Sequence, residues 1–166
     1  LDFGCGDGFV LRSVAAHFPE SRLVGIDAEL DPAAAARIVK EDPRIQLYRS
    51  ADEMDGKTVF DVVLLCDVIE HIEKDIKVLK DLAQRSFIGP KTIFLVTVPA
   101  FQGVFSSHDQ WLGHFRRYTV RSLTERIEQA GLKKLESKDF FASLLAVRAV
   151  ISFLEKIPGF PKAERG

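Results

Sequence analysis

LDFGCGDGFV, residues Leu1–Val10, is the stretch that decides the fold. A short apolar segment runs into Gly4, Gly6 and Gly8, at every second position. An apolar pattern of helical period follows at once. A strand that ends in a glycine turn and opens a helix brings bare backbone N–H groups close to a ligand. Leu1 already lies within the expected strand, so the strand is expected to begin before it.

The rest of the chain alternates in the same manner. Val10–Phe18 reads as a helix stopped by Pro19, and Arg22–Asp27 as a buried strand ending in an acid. Asp31-Pro32 has the form of an N-cap followed by proline in the first turn, with Ala33–Lys40 continuing as helix. Ile45–Arg49 reads as a third strand and Ser50–Lys57 as a polar turn. Val59–Cys66 is an unbroken apolar run, expected to be covered on both faces. Asp67–His71 is a loop or helix entry, and Glu73–Phe87 an amphipathic helix with Ile76, Leu79, Leu82 and Ala83 at helical spacing. Gly89-Pro90 punctuates before a fifth strand, Thr92–Val98. Pro99–Tyr118 has no clear period and, at about 20 residues, is too long for an ordinary connection. Thr119–Ala130 is helical again, capped by Thr119 and stopped by Gly131. Leu132–Lys138 can form a sixth strand, and Phe140–Lys156 an apolar helix before a tail rich in proline, glycine and charge.

This order implies an α/β fold: a three-layer, doubly wound, mostly parallel sheet. Residues 1–139 are expected to form the main domain, with 99–118 covering a site and 140–166 an apolar helix and tail. In such sheets ligands sit beyond the carboxyl ends of the strands. The glycine turn, Asp27, the segment after Arg49 and the segment after Cys66 all fall on that edge.

Composition narrows the class. The chain has 166 residues, 46% of them apolar, and a net charge of −1. Such balance gives no overall field for nucleic acid, and no nucleic-acid partner is expected. The basic residues are local: His114, Arg116, Arg117 and Arg121, then Lys133 and Lys134. They read as a site for an anion or as a solvated, internally paired face. Cys5 and Cys66 match no zinc or disulfide spacing and read as two reduced residues of a cytoplasmic protein. No apolar run reaches the ~18 residues of a spanning helix. Residues 140–154 are expected to be buried in the protein, in a homodimer contact or at a membrane surface.

The glycine spacing is Gly-x-Gly-x-Gly, one residue shorter than the dinucleotide fingerprint. Asp2 lies just ahead of it, where an acid repels phosphate and suits an ammonium. Asp27, 19 positions beyond Gly8, can accept two hydrogen bonds from a ribose diol. A ligand with a nucleoside and an amino acid, without a pyrophosphate, fits these three features.

LDFGCGDG, VGID, FDVVLLCDVIEHI and TVPA, in this order, resemble the class I S-adenosylmethionine-dependent methyltransferases from Leu1 to about Leu135. DVIEH and GHFRRYT resemble the small-molecule branch that includes quinone-biosynthesis O-methyltransferases. The resemblance implies a Rossmann-like methyltransferase fold, here truncated at its N-terminus and, with the usual final hairpin strand not found, at its C-terminus. It also implies S-adenosylmethionine as cofactor and a small or lipid-linked acceptor, methylated at oxygen. Asp2, Gly4, Cys5, Gly6 and Gly8 match the methionine end of the cofactor site. Asp27 and Ala28 match the ribose segment, and Ser50 and Ala51 the adenine segment, where the family often has an acid in place of Ser50. Cys66 and Asp67 match the segment bordering the methyl group. His71, His108 and His114 are candidate bases for a hydroxyl acceptor. Asp67, Glu70 and His71 resemble a cation-binding pattern of some quinone methyltransferases. The same residues are widespread in relatives without metal, and no metal is expected. Phe101, Phe105, Trp111 and Phe115 could wall an apolar pocket or seal 99–118 onto the core. Competing readings are a nicotinamide-dependent oxidoreductase, for which the glycine spacing is wrong, and a non-catalytic S-adenosylmethionine-binding module.

Overall fold

The structure is a computed structural model that describes residues 1–54, 56–139, 149–155 and 158. They fall into two compact units. The first comprises Leu1–Val68 and Arg85–Thr97; the second comprises Ile69–Gln84 and the chain from Val98 onward.

The first unit holds the sheet. Its strands are β1 (Asp2–Phe3), β2 (Leu23–Ile26), β3 (Ile45–Tyr48), β4 (Phe60–Cys66) and β5 (Ile88–Thr97). All pairings are parallel, in the order β3-β2-β1-β4-β5. The chain winds one way from β1 to β3, then returns past β1 for β4 and β5. The direction therefore reverses between β1 and β4, where a doubly wound sheet opens a crevice at its carboxyl edge.

Two helices follow their strands in this unit, α1 (Phe9–His17) and α2 (Pro32–Glu41). Asp31 caps α2 as expected: its carboxylate accepts from Ala33 N and Ala34 N, with Pro32 next. Leu11 and Ala15, one turn apart on α1, are buried with Cys5, Leu23, Ile38 and Ile45. Gly25 on β2 is what allows α1 this close. A Cβ there would lie 2.6 Å from Leu11 Cδ1 and 2.7 Å from both Cys5 Sγ and Leu47 Cδ2.

Three expectations about this sheet need correction. Gly89 and Pro90 lie inside β5 rather than before it. Phe60 pairs with Ile88 but Val62 pairs with Ile93, so β5 carries extra residues opposite one step of β4. The bulge is held by Thr92, whose hydroxyl donates to Phe60 O and accepts from Gly89 N. Second, among the described residues β4 is not covered on both faces. Val62 is 41% exposed, and its β5 neighbours Ile93 and Leu95 are 51% and 53% exposed. The main contacts of α1 and α2 with the sheet fall on β2 and β3. Third, Leu132–Lys138 is not a strand, and among the described residues the sheet has five strands. That segment offers only Leu132 and Leu135 for burial, and Leu135 is 75% exposed.

The second unit holds α3 (Asp75–Ala83), α4 (Ser107–Leu112) and α5 (Val120–Gln129). Helix α3 is shorter than the amphipathic pattern suggested. Thr119 caps α5 in a reciprocal pair with Ser122, and Gly131 ends it at φ +84°. The aperiodic stretch 99–118 is ordered by α4 and by a bridge between Ala100 and Tyr118. Residues 149–154 are helical, but most of the expected apolar helix over 140–156 lies outside the described residues. No helix among the described residues is long and apolar enough to cross a membrane.

Gly25→Ala is expected to lower stability by about 1–3 kcal/mol, because the added methyl overpacks three side chains at once. Urea unfolding followed by circular dichroism would measure it, and an unchanged midpoint would contradict the packing described.

Candidate functional site

In the first unit the glycine turn is shaped by left-handed backbone at Gly4, Gly6 and Gly8, with φ of +80°, +52° and +74°. Gly4 N and Cys5 N both donate to Ile26 O, which hangs the turn on the end of β2. The three glycines differ in what surrounds them. A Cβ on Gly4 would meet Val68 Cγ2 at 2.6 Å, and one on Gly8 would meet Ile38 Cδ1 at 2.9 Å. A Cβ on Gly6 would meet nothing within 4 Å. Gly4 and Gly8 therefore serve packing as well as the turn, and the Gly6 side is open.

Asp27 closes the turn. Its Oδ2 accepts from Gly6 N at 2.8 Å, and its Oδ1 accepts from Glu29 N at 2.9 Å. Each carboxylate oxygen keeps a further lone pair for an incoming hydroxyl. Ala28 beside it is exposed.

Asp2 is 1% exposed, and its Oδ2 has no hydrogen-bond partner among the described residues. Burial pushes its carboxyl up to about 6, and the nearby Asp27 adds to this. A buried acceptor left unsatisfied normally answers to a ligand, an ion or water. Cys5, also in the turn, has its thiol pushed up to about 12, mainly by burial and then by Asp2. It is a packing residue rather than a nucleophile.

The other strand ends complete this edge. Ser50 Oγ accepts from Asp52 N at 3.2 Å and so caps a short 3₁₀ turn over Ala51–Glu53. Cys66 ends β4 opposite Thr97. Asp67 follows with φ +54°, in the region that side chains rarely adopt. Thr97 holds it there: Asp67 N donates to Thr97 O at 3.1 Å, and the Thr97 hydroxyl donates to Asp67 Oδ1 at 3.3 Å. Strain of this kind, costing of order 1–3 kcal/mol, persists where surrounding contacts enforce it and often marks a functional turn.

The second unit holds the three candidate histidines His71, His108 and His114. The rings of His71 and His114 meet edge to face, centroids 4.6 Å apart. One ligating atom from each of Glu70, His71 and His114 lies within 4.8 Å of the others. Asp67 is not among the three. Such a triangle can share a proton or a cation. His108 is placed elsewhere and stacks on Trp111, with centroids 5.7 Å apart.

Two buried acids build this arrangement, and neither was singled out in the sequence. Asp75, 2% exposed, receives Arg126 Nη1 at 2.8 Å, Arg116 Nη1 at 3.1 Å and the Tyr118 hydroxyl at 2.8 Å. Arg116 also donates to Ile72 O and Glu73 O, and Phe115 N donates to Glu70 O. These bonds fasten 114–118 to the 69–75 turn. Asp109, fully buried, receives Arg117 Nε at 2.8 Å and His114 Nδ1 at 3.0 Å. Its signal was present in Ser106-x-x-Asp109, a capping-box spacing.

The basic cluster is thus resolved in part. Arg116 and Arg117 pair with the domain's own acids, and Arg121 pairs with Glu125 at the surface. Phe101, Trp111 and Phe115 are 40%, 44% and 53% exposed, while Phe105 is half-buried.

Residues 1–86 match the profile of a methyltransferase domain. The chain belongs to the methyltransferase domain family. The domain is 37% identical over 79 residues to a ubiquinone biosynthesis O-methyltransferase of Rhodopseudomonas palustris, covering 43% of this chain and 29% of the relative. It is 30% identical over 104 residues to the mitochondrial ubiquinone biosynthesis O-methyltransferase of Candida albicans, covering 59% and 32%. The chain spans between 29% and 40% of the length of the curated relatives it matches. Among solved structures it resembles the O-methyltransferase NcsB1 of neocarzinostatin biosynthesis, solved with S-adenosyl-L-homocysteine and 1,4-dihydroxy-2-naphthoic acid. The TM-score is 0.63 at 20% identity, over 78% of this chain and 42% of that one. It also resembles a Burkholderia thailandensis N1-methyltransferase of 1,6-didemethyltoxoflavin, with TM-score 0.64 and 22% identity over 82% and 61%. These likenesses show the fold that the strand order describes.

The Asp2 carboxyl has a testable sign. Its folded pKa is raised, so the folded state binds the proton more tightly than the unfolded chain does. Stability of the ligand-free domain should fall as pH rises from about 4 through about 6. Asp2→Asn is expected to stabilise it by up to about 3 kcal/mol at pH 7.5 and by almost nothing near pH 4. Urea midpoints at the two pH values measure this, and a gain independent of pH would contradict it.

Proposed function

We propose that the first unit binds S-adenosylmethionine and that the protein transfers its methyl group to a hydroxyl of a small or lipid-linked acceptor. The single observation that carries the reading is the clasp of Gly6 and Asp27 beside the buried, unsatisfied Asp2. The donor set suits each part of that cofactor. The open side of Gly6 admits a ligand against the backbone, Asp2 answers an ammonium, and Asp27 retains lone pairs for a ribose diol. No phosphate would be drawn to a turn with Asp2 and Asp27 on either side of it. Ser50 and Ala51 are proposed to border the adenine, Cys66 and Asp67 the methyl group, and Cys5 to pack beneath the turn.

When bound, the cofactor supplies an electrophilic methyl on a sulfonium. The protein's part is then to hold a nucleophile in line and to take its proton. We assign the proton to His114, with His71 beside it and His108 at the acceptor side. Oxygen as acceptor atom is supported by the names of the curated relatives, both ubiquinone biosynthesis O-methyltransferases.

Titration calorimetry tests the cofactor assignment. S-adenosylhomocysteine should bind the wild type, and Asp27→Ala should weaken it at least tenfold while circular dichroism stays unchanged. Binding of a nicotinamide dinucleotide in its place, or full affinity in the variant, would overturn the reading.

A further inference from the structure

We infer that Asp109 is the positioning residue of His114, fixing its tautomer so that the proton stays on Nδ1 and Nε2 presents its lone pair. This rests on the proposal that His114 is the base, and it adds the group that makes it one.

The geometry leaves His114 little freedom. Its Nδ1 stands 3.0 Å from Asp109 Oδ1, with the two side chains 9% and 0% exposed. An ionised carboxylate only accepts, so the imidazole must donate from Nδ1. Asp109 stays ionised despite its burial. Burial raises its carboxyl, but hydrogen bonds from Arg117, His114 and Ser106 N outweigh this and hold it below the usual carboxylate range. Both oxygens are occupied. Oδ1 takes Arg117 Nε and His114 Nδ1, while Oδ2 takes Ser106 N and the Ser106 hydroxyl. The carboxylate therefore cannot swing away.

The backbone repeats the constraint. His114 N donates to Asp109 O at 2.8 Å, just after Gly113 ends α4 at φ +81°. Six residues of helix with a cap at each end set the distance from acid to imidazole. The His71 ring packs edge to face on His114, and one ligating atom of Glu70 lies within 4.8 Å of one on His114. A base oriented by a third group is the arrangement that hydrolases use to activate a hydroxyl.

The step balances. The acceptor O–H bond breaks and its proton passes to His114 Nε2. The oxygen forms a bond to the methyl carbon, and the C–S bond breaks with its electron pair left on the thioether. The imidazolium formed is paired through Nδ1–H with Asp109, whose charge does not change.

The test reads the tautomer directly, with no acceptor needed. Long-range ¹H–¹⁵N correlation at a pH where imidazole is neutral should show His114 protonated at Nδ1, assigned by its loss in His114→Gln. In Asp109→Asn the amide can donate to Nδ1, and the signal should move largely to the Nε2-protonated form. Ser106→Ala removes the hydroxyl contact to Oδ2, keeps the one from Ser106 N, and should leave the tautomer unchanged while weakening the α4 cap. A wild-type His114 protonated at Nε2 overturns the inference whether or not Asp109→Asn folds. So does a folded Asp109→Asn with an unmoved tautomer. Failure of the underlying reading looks different: His114→Gln would keep full methyl transfer to a catechol probe while the wild-type tautomer stayed as described.

Discussion

One carboxylate organises the carboxyl edge of the sheet. Asp27 stands where β2 ends, and it binds the amide of Gly6 in the turn that leaves β1. The backbone reaches that position only because residues 4, 6 and 8 accept left-handed φ. Strand order supplies the rest, since β1 and β2 are parallel neighbours in register at Phe3 and Ile26. The turn, the acid after β2 and the turn after β4 then share one edge of the sheet. Asp2 belongs to the same group of constraints. It is buried in β1 with one oxygen unpaired among the described residues, a cost that a ligand's ammonium would relieve.

The second unit solves a different problem with the same means. A stretch of 20 residues without periodicity must still hold histidines in fixed places. Two buried acids do so. Asp75 collects two arginines and a tyrosine, and Asp109 collects an arginine and a histidine. Removing one partner from such a cluster leaves a buried charge exposed to a low dielectric, which typically costs 3–5 kcal/mol. Arg116 and Arg117 are therefore framework, and their charge is spent inside the protein rather than offered to an anionic acceptor.

The parts legible in the sequence were those set by local chemistry. The glycine spacing, the Asp31-Pro32 start, the Thr119 cap and the Gly131 stop each depend on a few adjacent residues, and each is found in place. That the sheet is parallel and doubly wound followed from alternation of elements and the handedness of their crossovers; its order came from the structure. What was not legible depends on distant partners. The bulge in β5 exists because Thr92 reaches Phe60, and no reading of Gly89-Pro90 alone shows that. The sixth strand failed because pattern cannot tell whether a sheet neighbour is there to receive it. The burial of Asp109 and Asp75 carries no such local signal, because an acid in a polar stretch looks solvated until its arginines are brought to it. His114 was noticed for its neighbours in sequence, and its significance lies in a residue five positions away whose burial only the fold reveals.

The central claim is that the turn clasped by Asp27 receives the amino-acid and ribose parts of S-adenosylmethionine. An amide-resolved titration of ¹⁵N-labelled protein with S-adenosylhomocysteine tests it most directly. The account predicts saturable shifts at Gly6 and Glu29, the two amides that Asp27 holds, with the amides of α2 little changed. Shifts confined to other strand ends, or none at millimolar ligand, would contradict it.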